Sequence, residues 1–135
     1  KLFLIPIIHV GEAGFLLTKL LGKQFTAITY TEKFLPWINQ IIDYFNMSKH
    51  CKSIKTLDID PETIINSNDV DNAKNKLISI INNLPQSINS NVVILSSAGF
   101  ANMASLIRQH VNIPVVDPVE SAIKIAEILI NMNKS

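Results

Sequence analysis

The stretch Val92-Val-Ile-Leu-Ser-Ser-Ala-Gly-Phe100 determines the fold class that the sequence predicts. Its first four residues are apolar and mostly β-branched, which is typical of a strand buried on both faces of a sheet. Two hydroxyl side chains and a glycine follow, and helical periodicity begins at Ala101. A buried strand that runs directly into a helix is the repeating unit of a parallel sheet covered by helices.

The same alternation continues in both directions from this segment. Strands are predicted at residues 2–10, 25–30, 53–59, 91–95 and 113–116, and helices at residues 12–21, 35–46, 71–83, 101–110 and 120–131. Residues 60–70 are the most polar segment, and we expect a loop there with one helical turn after Pro61. This order predicts an α/β fold in which a parallel sheet of four or five strands has helices on both faces.

The composition is that of one folded domain, because 47% of the 135 residues are hydrophobic and 17% are charged. The formal net charge is only +1, so we expect neither a nucleic acid nor a membrane as partner. The apolar opening, residues 1–10, is half the ~20 residues that a spanning helix needs, and it contains Pro6. A single cysteine, Cys51, favours a reducing, cytoplasmic location. The chain enters core-type sequence directly at Lys1, so we expect one α/β domain over residues 1–135 with a part of the protein missing upstream.

Two predicted strand-to-helix turns carry side chains suited to binding a small anion. Ligands of open parallel sheets lie beyond the carboxyl ends of the strands. The turn Ser96-Ser-Ala-Gly99 brings hydroxyl and backbone N–H groups to the predicted start of a helix, where a carboxylate or phosphate is stabilised. Alternatively, Ser96 or Ser97 only caps that helix. The turn Thr29-Tyr-Thr-Glu32 adds hydroxyl groups at the same edge, and its Thr31 could equally open a helix.

Several common sites do not fit the residue pattern. The chain has no Gly-x-Ser-x-Gly nucleophile motif and no complete P-loop, and the spacing around Gly11 and Gly14 fails the GxGxxG pattern. Asp58 and Asp60 follow a predicted strand as in a receiver domain, but matching acidic residues and a lysine are not evident at the other strand ends.

We expect neither a metal nor a cofactor. The three histidines lie far apart in the sequence, at His9, His50 and His110, and there is no Cys/His spacing of a metal site. A lone histidine of this kind is more often structural or exposed than a ligand. Cys51 precedes a predicted strand, so it lies at the end of the sheet opposite to the turns, and we expect it to be non-catalytic.

Three ordered segments resemble the aspartate/glutamate/hydantoin racemase superfamily, and most closely the second half of its hydantoin racemase branch. Residues 4–13 are similar to the family's iPVvGigEA segment, and residues 22–29 with Pro36 resemble its GxrFsvvT stretch and the proline that follows. Residues 92–101 resemble viiLgCAGmA, and residues 113–122 with Glu127 resemble vPViDgvaAa and AE. The resemblance covers nearly the whole chain.

The resemblance implies two flavodoxin-like lobes, each a three-layer, doubly wound parallel sheet, with the active site between them; this chain is expected to be one such lobe. It implies proton transfer at the carbon α to a carboxylate or carbonyl, without metal or other cofactor. One cysteine from each lobe acts as acid or base, and neighbouring N–H groups hold the substrate anion. The implied partners are a small carboxylate or hydantoin-like substrate, and a missing N-terminal lobe or a second copy of the chain. The apolar faces of the first strand and the last helix are expected to meet that partner or to be exposed.

This sequence departs from the family pattern at the catalytic position. Ser97 stands where the resemblance places the second cysteine, and the first cysteine would lie upstream of Lys1. A serine hydroxyl has a pKa far above that of a thiol, so Ser97 cannot act as a general base near pH 7 without strong activation.

The other site residues that carry over from the resemblance serve mainly to bind an anion. The expected substrate-binding groups are Thr29, Tyr30, which replaces a frequent second threonine, and the N–H groups of Ala98 and Gly99. Supporting roles are expected for Glu12, which matches the acidic residue of the GEA segment, and for Asp117, which matches the iDg turn.

The sequence is compatible with three functions. The chain is one lobe of a racemase that acts on an amino acid or hydantoin, and is inactive alone. It is a family member that binds a small carboxylate without catalysis, which the serine favours. Or it belongs to a decarboxylase or isomerase variant, in which one cysteine from the missing lobe suffices. A CxxxP-like turn after a strand in the upstream gene sequence would discriminate between them.

Overall fold

The computed structural model describes residues 5–67 and 69–134, which form four strands and six α-helices. The strands are β1 (Phe25–Thr29), β2 (Cys51–Thr56), β3 (Val92–Leu95) and β4 (Val115–Val116). The helices are α1 (Val10–Leu21), α2 (Leu35–Tyr44), α3 (Pro61–Ser67), α4 (Val70–Asn82), α5 (Met103–Ile107) and α6 (Pro118–Met132). Short 3₁₀ turns lie at Glu32–Phe34, Gln86–Ile88, Ala98–Phe100 and Arg108–His110. None of the described helices is long and apolar enough to cross a membrane.

The strands form one parallel sheet in the order β2-β1-β3-β4, which confirms the predicted α/β class. Phe25 of β1 pairs with Cys51 on one side and with Val92 on the other. The chain moves from β1 to β2 in one direction and returns to β3 on the opposite side of β1. The order therefore reverses between β1 and β3, and this switch point is where open parallel sheets bind ligands.

Alternate side chains of β3 enter two different cores, as a sheet covered on both faces requires. Val93 and Leu95 belong to a core that α4 and α5 cover, with contributions from Leu77 and Ile107. Val92 and Ile94 belong to a second core that α1 and α2 cover, built around Phe15, Phe25, Ile38 and Ile42. The three layers predicted from the continuous apolar runs are thus present.

The predicted first strand, residues 2–10, is wrong where it can be compared. Residues 5–9 pair with no strand of the described sheet, and α1 begins at Val10. The side chain of His9 caps this helix, so the last residues of the apolar run enter a helix instead of a strand. Pro6 also lacks the N–H group that a strand between two neighbours needs. Residues 2–4 lie outside the described part of the chain.

Other boundaries differ for local backbone reasons. The predicted strand 53–59 ends at Thr56, because Asp58 adopts a left-handed conformation (φ 55°) that turns the chain. The predicted helix 101–110 is divided, because Asn102 is also left-handed (φ 70°) and α5 begins only after it. Within residues 60–70 the single turn expected after Pro61 is a seven-residue helix, α3. The predicted strand 113–116 is reduced to the two residues of β4.

Candidate functional site

The turns after β1 and β3 are joined to each other at the switch point. The N–H of Ser96 donates to the carbonyl of Ile28 (2.8 Å), which extends the ladder between the two strands by one bond. The hydroxyl of Tyr30 donates to the carbonyl of Gly99 (2.7 Å). The ring of Tyr30 stacks on Phe100, with centroids 4.1 Å apart and planes 15° apart. Tyr30 therefore fixes the turn after β3 in position relative to β1.

Gly99 has to be small in this arrangement. A Cβ at this position would lie 2.9 Å from Cε2 of Tyr30, which is closer than side-chain carbons approach. Because Tyr30 is buried and held by both a hydrogen bond and a stacked ring, it cannot move away easily. Glycine at this position permits the close contact between the two turns.

Ser97 lies at the centre of the turn after β3, where it organises the backbone. Its Oγ accepts a hydrogen bond from the N–H of Gly99 (3.2 Å), and its carbonyl accepts from the N–H of Phe100 (3.0 Å). The next helix is a 3₁₀ turn, Ala98–Phe100, followed by the five-residue α5. The dipole of a long helix, which the sequence led us to expect, therefore adds little to the binding of an anion at this turn. The local backbone N–H groups are its electropositive feature.

A cavity of about 220 Å³ opens beside this turn. Its walls come from the end of β3, the N-terminal half of α1, the first half of α2 and the start of α6. Most of the lining side chains are apolar, and the polar ones are a histidine and two serines. The lining residues are His9, Val10, Gly11, Phe15, Trp37, Ile38, Ile41, Ile94, Ser96, Ser97 and Pro118.

The model of the family described as Asp/Glu/Hydantoin racemase matches residues 1–126. The chain belongs to this racemase family. Two curated hydantoin racemases, from Rhizobium meliloti and from Pseudomonas sp. (strain NS671), are each 22% identical to it, over 93% and 96% of the chain. The chain spans about half the length of these relatives, 51% in both cases.

Solved structures of the racemase family share the fold. An allantoin racemase from Pseudomonas fluorescens superposes with a TM-score of 0.83 at 23% identity, covering 99% of this chain and 56% of that one. An allantoin racemase from Klebsiella pneumoniae gives a TM-score of 0.79 at 19% identity, covering 94% of this chain and 51% of that one. At these identities the likeness establishes the fold alone.

The expected anion-binding groups of this racemase-family chain divide into two sets. Ser97 lines the cavity, whereas Thr29, Tyr30 and Gly99 are not among its lining residues. Thr29 is fully buried at the end of β1, and its Oγ1 has no hydrogen-bond partner in the described structure. Tyr30 uses its hydroxyl on Gly99, and burial raises the pKa of that hydroxyl. Ala98 lies in the 3₁₀ turn beside Ser97.

The two expected supporting residues lie at helix N-termini. Asp117 is buried and caps α6, because its Oδ1 accepts hydrogen bonds from the N–H groups of Val119 (2.8 Å) and Glu120 (3.3 Å). Glu12 is exposed in the first turn of α1, where a negative charge stabilises the helix dipole. Both positions have a clear structural role.

Cys51 lies at the N-terminal end of β2, whereas the cavity lies beside the C-terminal end of β3. Burial is the larger influence and raises the pKa of its thiol, whereas a hydrogen bond with the backbone of Ser53 acts in the opposite direction. A thiol with a raised pKa is a poor nucleophile and a poor base near neutral pH. Its placement agrees with the expectation that it takes no part in the site.

His9 lines the cavity, and the sequence did not point to it. Its Nδ1 accepts the N–H of Gly11 (3.0 Å), and its ring contacts Phe45, with centroids 5.0 Å apart. The residue pattern gave no signal for it, because the three histidines lie far apart in the sequence and His9 falls within the predicted first strand. Its place as the cap of α1 follows only from the start of that helix at Val10.

Proposed function

We propose that this chain forms one lobe of a cofactor-independent racemase, which moves a proton at the carbon α to the carboxylate or carbonyl of an amino acid or hydantoin. The observation that carries the proposal is the turn after β3. In a family lobe it brings Ser97 to the switch point, beside an open and mostly apolar cavity. The curated relatives that the chain matches are about twice as long, so a second lobe has room to supply the other wall.

Proton transfer of this kind needs an acceptor on one face of the carbon and a donor on the other. Ser97 stands where the family resemblance places a cysteine, and a hydroxyl is a far weaker acid than a thiol. The Ser97 Oγ also already accepts the N–H of Gly99. We therefore assign to Ser97 the role of a ligand contact, and the isolated chain is expected to catalyse no racemisation.

The remaining site assignments follow from position. Thr29 has a buried hydroxyl without a partner in the described structure, at the end of β1, and we propose that it donates to a ligand bound at the neighbouring turn. The N–H groups of Ala98 and Gly99 are proposed to contact a substrate carboxylate or carbonyl. The N–H of Gly99 then has to exchange its hydrogen bond to Oγ of Ser97 for one to the substrate. Tyr30 is proposed to act on the substrate only through the turn that it holds.

Ser97 favours a second candidate, a family member that binds a small carboxylate without catalysis. A decarboxylase or isomerase variant is a further form of the same proposal, in which one cysteine from another lobe provides the proton. All three share the ligand site at the turn after β3. They differ in whether the α-hydrogen of a bound ligand exchanges with solvent.

The test is deuterium exchange at the α-carbon, followed by NMR in deuterated buffer. Aspartate, glutamate and 5-isopropylhydantoin are incubated separately with the 135-residue chain and with the product of the full open reading frame. We expect exchange above the buffer rate only with the latter. Binding without exchange by both proteins would favour the carboxylate-binding alternative. Exchange by the short chain that disappears in Ser97→Ala would refute the assignment of Ser97 as a mere contact.

The partner that completes the site is proposed to cover α1 and α6. These two helices pack against each other, and both carry large apolar side chains that are exposed. The exposed residues are Val10, Leu16, Leu20 and Leu21 on α1, and Ile123, Ile128, Ile130 and Met132 on α6. A surface of this kind marks an interface with another lobe or with a second copy of the chain.

A further inference from the structure

His9 is fixed at the wall of the cavity from two directions. Its Nδ1 accepts the N–H of Gly11 (3.0 Å), and its ring lies against Phe45 at 5.0 Å between centroids, with the planes inclined by 55°. A Cβ on Gly11 would lie 3.2 Å from Cε1 of His9 and 3.4 Å from Cγ2 of Ile41. The small residue therefore leaves room for the imidazole over the start of α1.

The bond from Gly11 determines which nitrogen of His9 carries the proton. A neutral imidazole has one donor and one acceptor nitrogen, and here Nδ1 is the acceptor. The proton of the neutral ring is then on Nε2, which becomes a hydrogen-bond donor. The cap of α1 thus leaves Nε2–H as the hydrogen-bond donor of the neutral ring.

The other polar side chains of the cavity are Ser96 and Ser97, and its remaining lining is apolar apart from the backbone. A carbonyl or carboxylate oxygen that loses water on entering such a cavity needs a hydrogen bond, and a donor on its wall therefore strengthens binding. A neutral imidazole donates to such an oxygen without bringing a second charge into the cavity.

We infer that His9 is a ligand-contacting residue of this cavity. Its Nε2–H donates a hydrogen bond to a carbonyl or carboxylate oxygen of a small molecule, whose apolar part lies against Phe15, Trp37 and Ile41. The inference rests on the proposed function, because it takes the cavity as the ligand site, but it assigns a contact that does not depend on the serine or on turnover.

The test is an NMR titration of the ¹⁵N-labelled chain with 5-isopropylhydantoin. We expect the Nε2–H tautomer of His9 in the free protein, a shift of the Nε2 and Hε2 resonances on binding, and shifts of the Trp37 indole. In His9→Asn the shorter side chain still caps α1 but does not reach as far into the cavity. Loss of one hydrogen bond is expected to weaken binding about tenfold. Lys19→Gln, on the exposed part of the same helix, is the matched control and is expected to bind as the wild type does.

Three results overturn the inference, and they do so for different reasons. If the probe shifts Trp37 but His9→Asn binds equally well, the cavity is the ligand site and His9 is only a helix cap. If the free histidine carries its proton on Nδ1, the assigned donor does not exist. If no resonance of the cavity shifts in the wild type, the proposed ligand site fails, and the assignment of His9 fails with it.

Discussion

Ser97 combines a structural role with a position on the wall of the cavity. Its Oγ accepts the N–H of Gly99, as a helix cap would, yet it also lines the cavity. The two interpretations that the sequence left open are therefore compatible. The N–H that stabilises the turn is the same group that would stabilise a negative charge at this atom.

The substitution Ser97→Cys is expected to produce a thiol with a pKa below the free-thiol value of about 8.5. The N–H of Gly99 would then point to the sulfur and favour the thiolate, which lowers the pKa. The measurement is the rate of reaction with a chromogenic disulfide as a function of pH, with Cys51 first replaced by alanine. A thiol that titrates at or above 8.5 would mean that the turn does not stabilise an anion.

The residues of the site show why sequence reasoning found only part of it. The turn that carries Ser97 can be predicted because it follows a buried strand, and this is a local pattern. Tyr30 was expected to contact substrate, but its hydroxyl bonds to Gly99, which is 69 residues away in the chain. His9 enters the cavity only because α1 packs beside α2 and β3. Contacts of this kind depend on tertiary packing, which a residue pattern does not contain.

At the scale of elements, an ion pair joins the 3₁₀ turn after α5 to β4 and α6. Arg108 lies in that turn, and Glu120 lies in the first turn of α6. The guanidinium of Arg108 donates to the carbonyl of Val115 (3.1 Å) and to Oε2 of Glu120 (2.7 Å), and Lys124 contacts Oε1 of Glu120 (2.7 Å). The hydrogen bonds from Arg108 and then Lys124 lower the pKa of Glu120 to about 2.

This pKa predicts a pH-dependent contribution to stability. Because the pKa of Glu120 is lowered in the folded state, its stabilising effect is complete above the unfolded value of about 4.3 and is lost as the pH falls to about 2. We expect Glu120→Gln to be less stable than the wild type at pH 6, and the two free energies of unfolding to converge near pH 2. Urea unfolding across this range measures the difference. Arg108→Gln, which removes the larger cause, should also narrow its difference from the wild type as the pH falls, but a remainder is expected at pH 2 because the bond to the Val115 carbonyl is lost at every pH. A difference between Glu120→Gln and the wild type that is constant at all pH values would contradict the assignment.

The elements themselves were predicted well where burial and periodicity agree. The runs at β1 and β3 are apolar because both faces of the sheet are covered, and the structure confirms both strands. The prediction of a strand in the opening segment was wrong because an apolar composition does not show whether a neighbouring strand is present to pair with it. The predicted end of β2 and the predicted start of the helix after β3 were wrong because Asp58 and Asn102 have left-handed backbone conformations. Aspartate and asparagine adopt this conformation only at some positions, so the residue type alone does not predict it.

At the scale of the whole molecule, the uncovered side of α1 and α6 predicts association. We expect the chain to sediment as a larger species as its concentration rises. The double substitution Leu20→Glu with Ile128→Glu is expected to return it to a monomer, with little change in the free energy of unfolding, because both side chains are more than half exposed. Tyr44→Glu, on α2 and equally exposed, is the control. A chain that stays monomeric at all concentrations would leave this surface to a different lobe.

The strand order also has a consequence for the newly made chain. β1 is a central strand, and the neighbour on one side of it, β3, begins 63 residues after β1 ends, from Thr29 to Val92. During synthesis β1 and β2 leave the ribosome first, and the edge of β1 that will pair with β3 has open N–H and carbonyl groups until then. This apolar edge is the site at which a nascent chain would be recognised by chaperones or would aggregate. The slow step of folding should therefore be the arrival of β3, which closes that edge and completes the wall of the cavity in the same event.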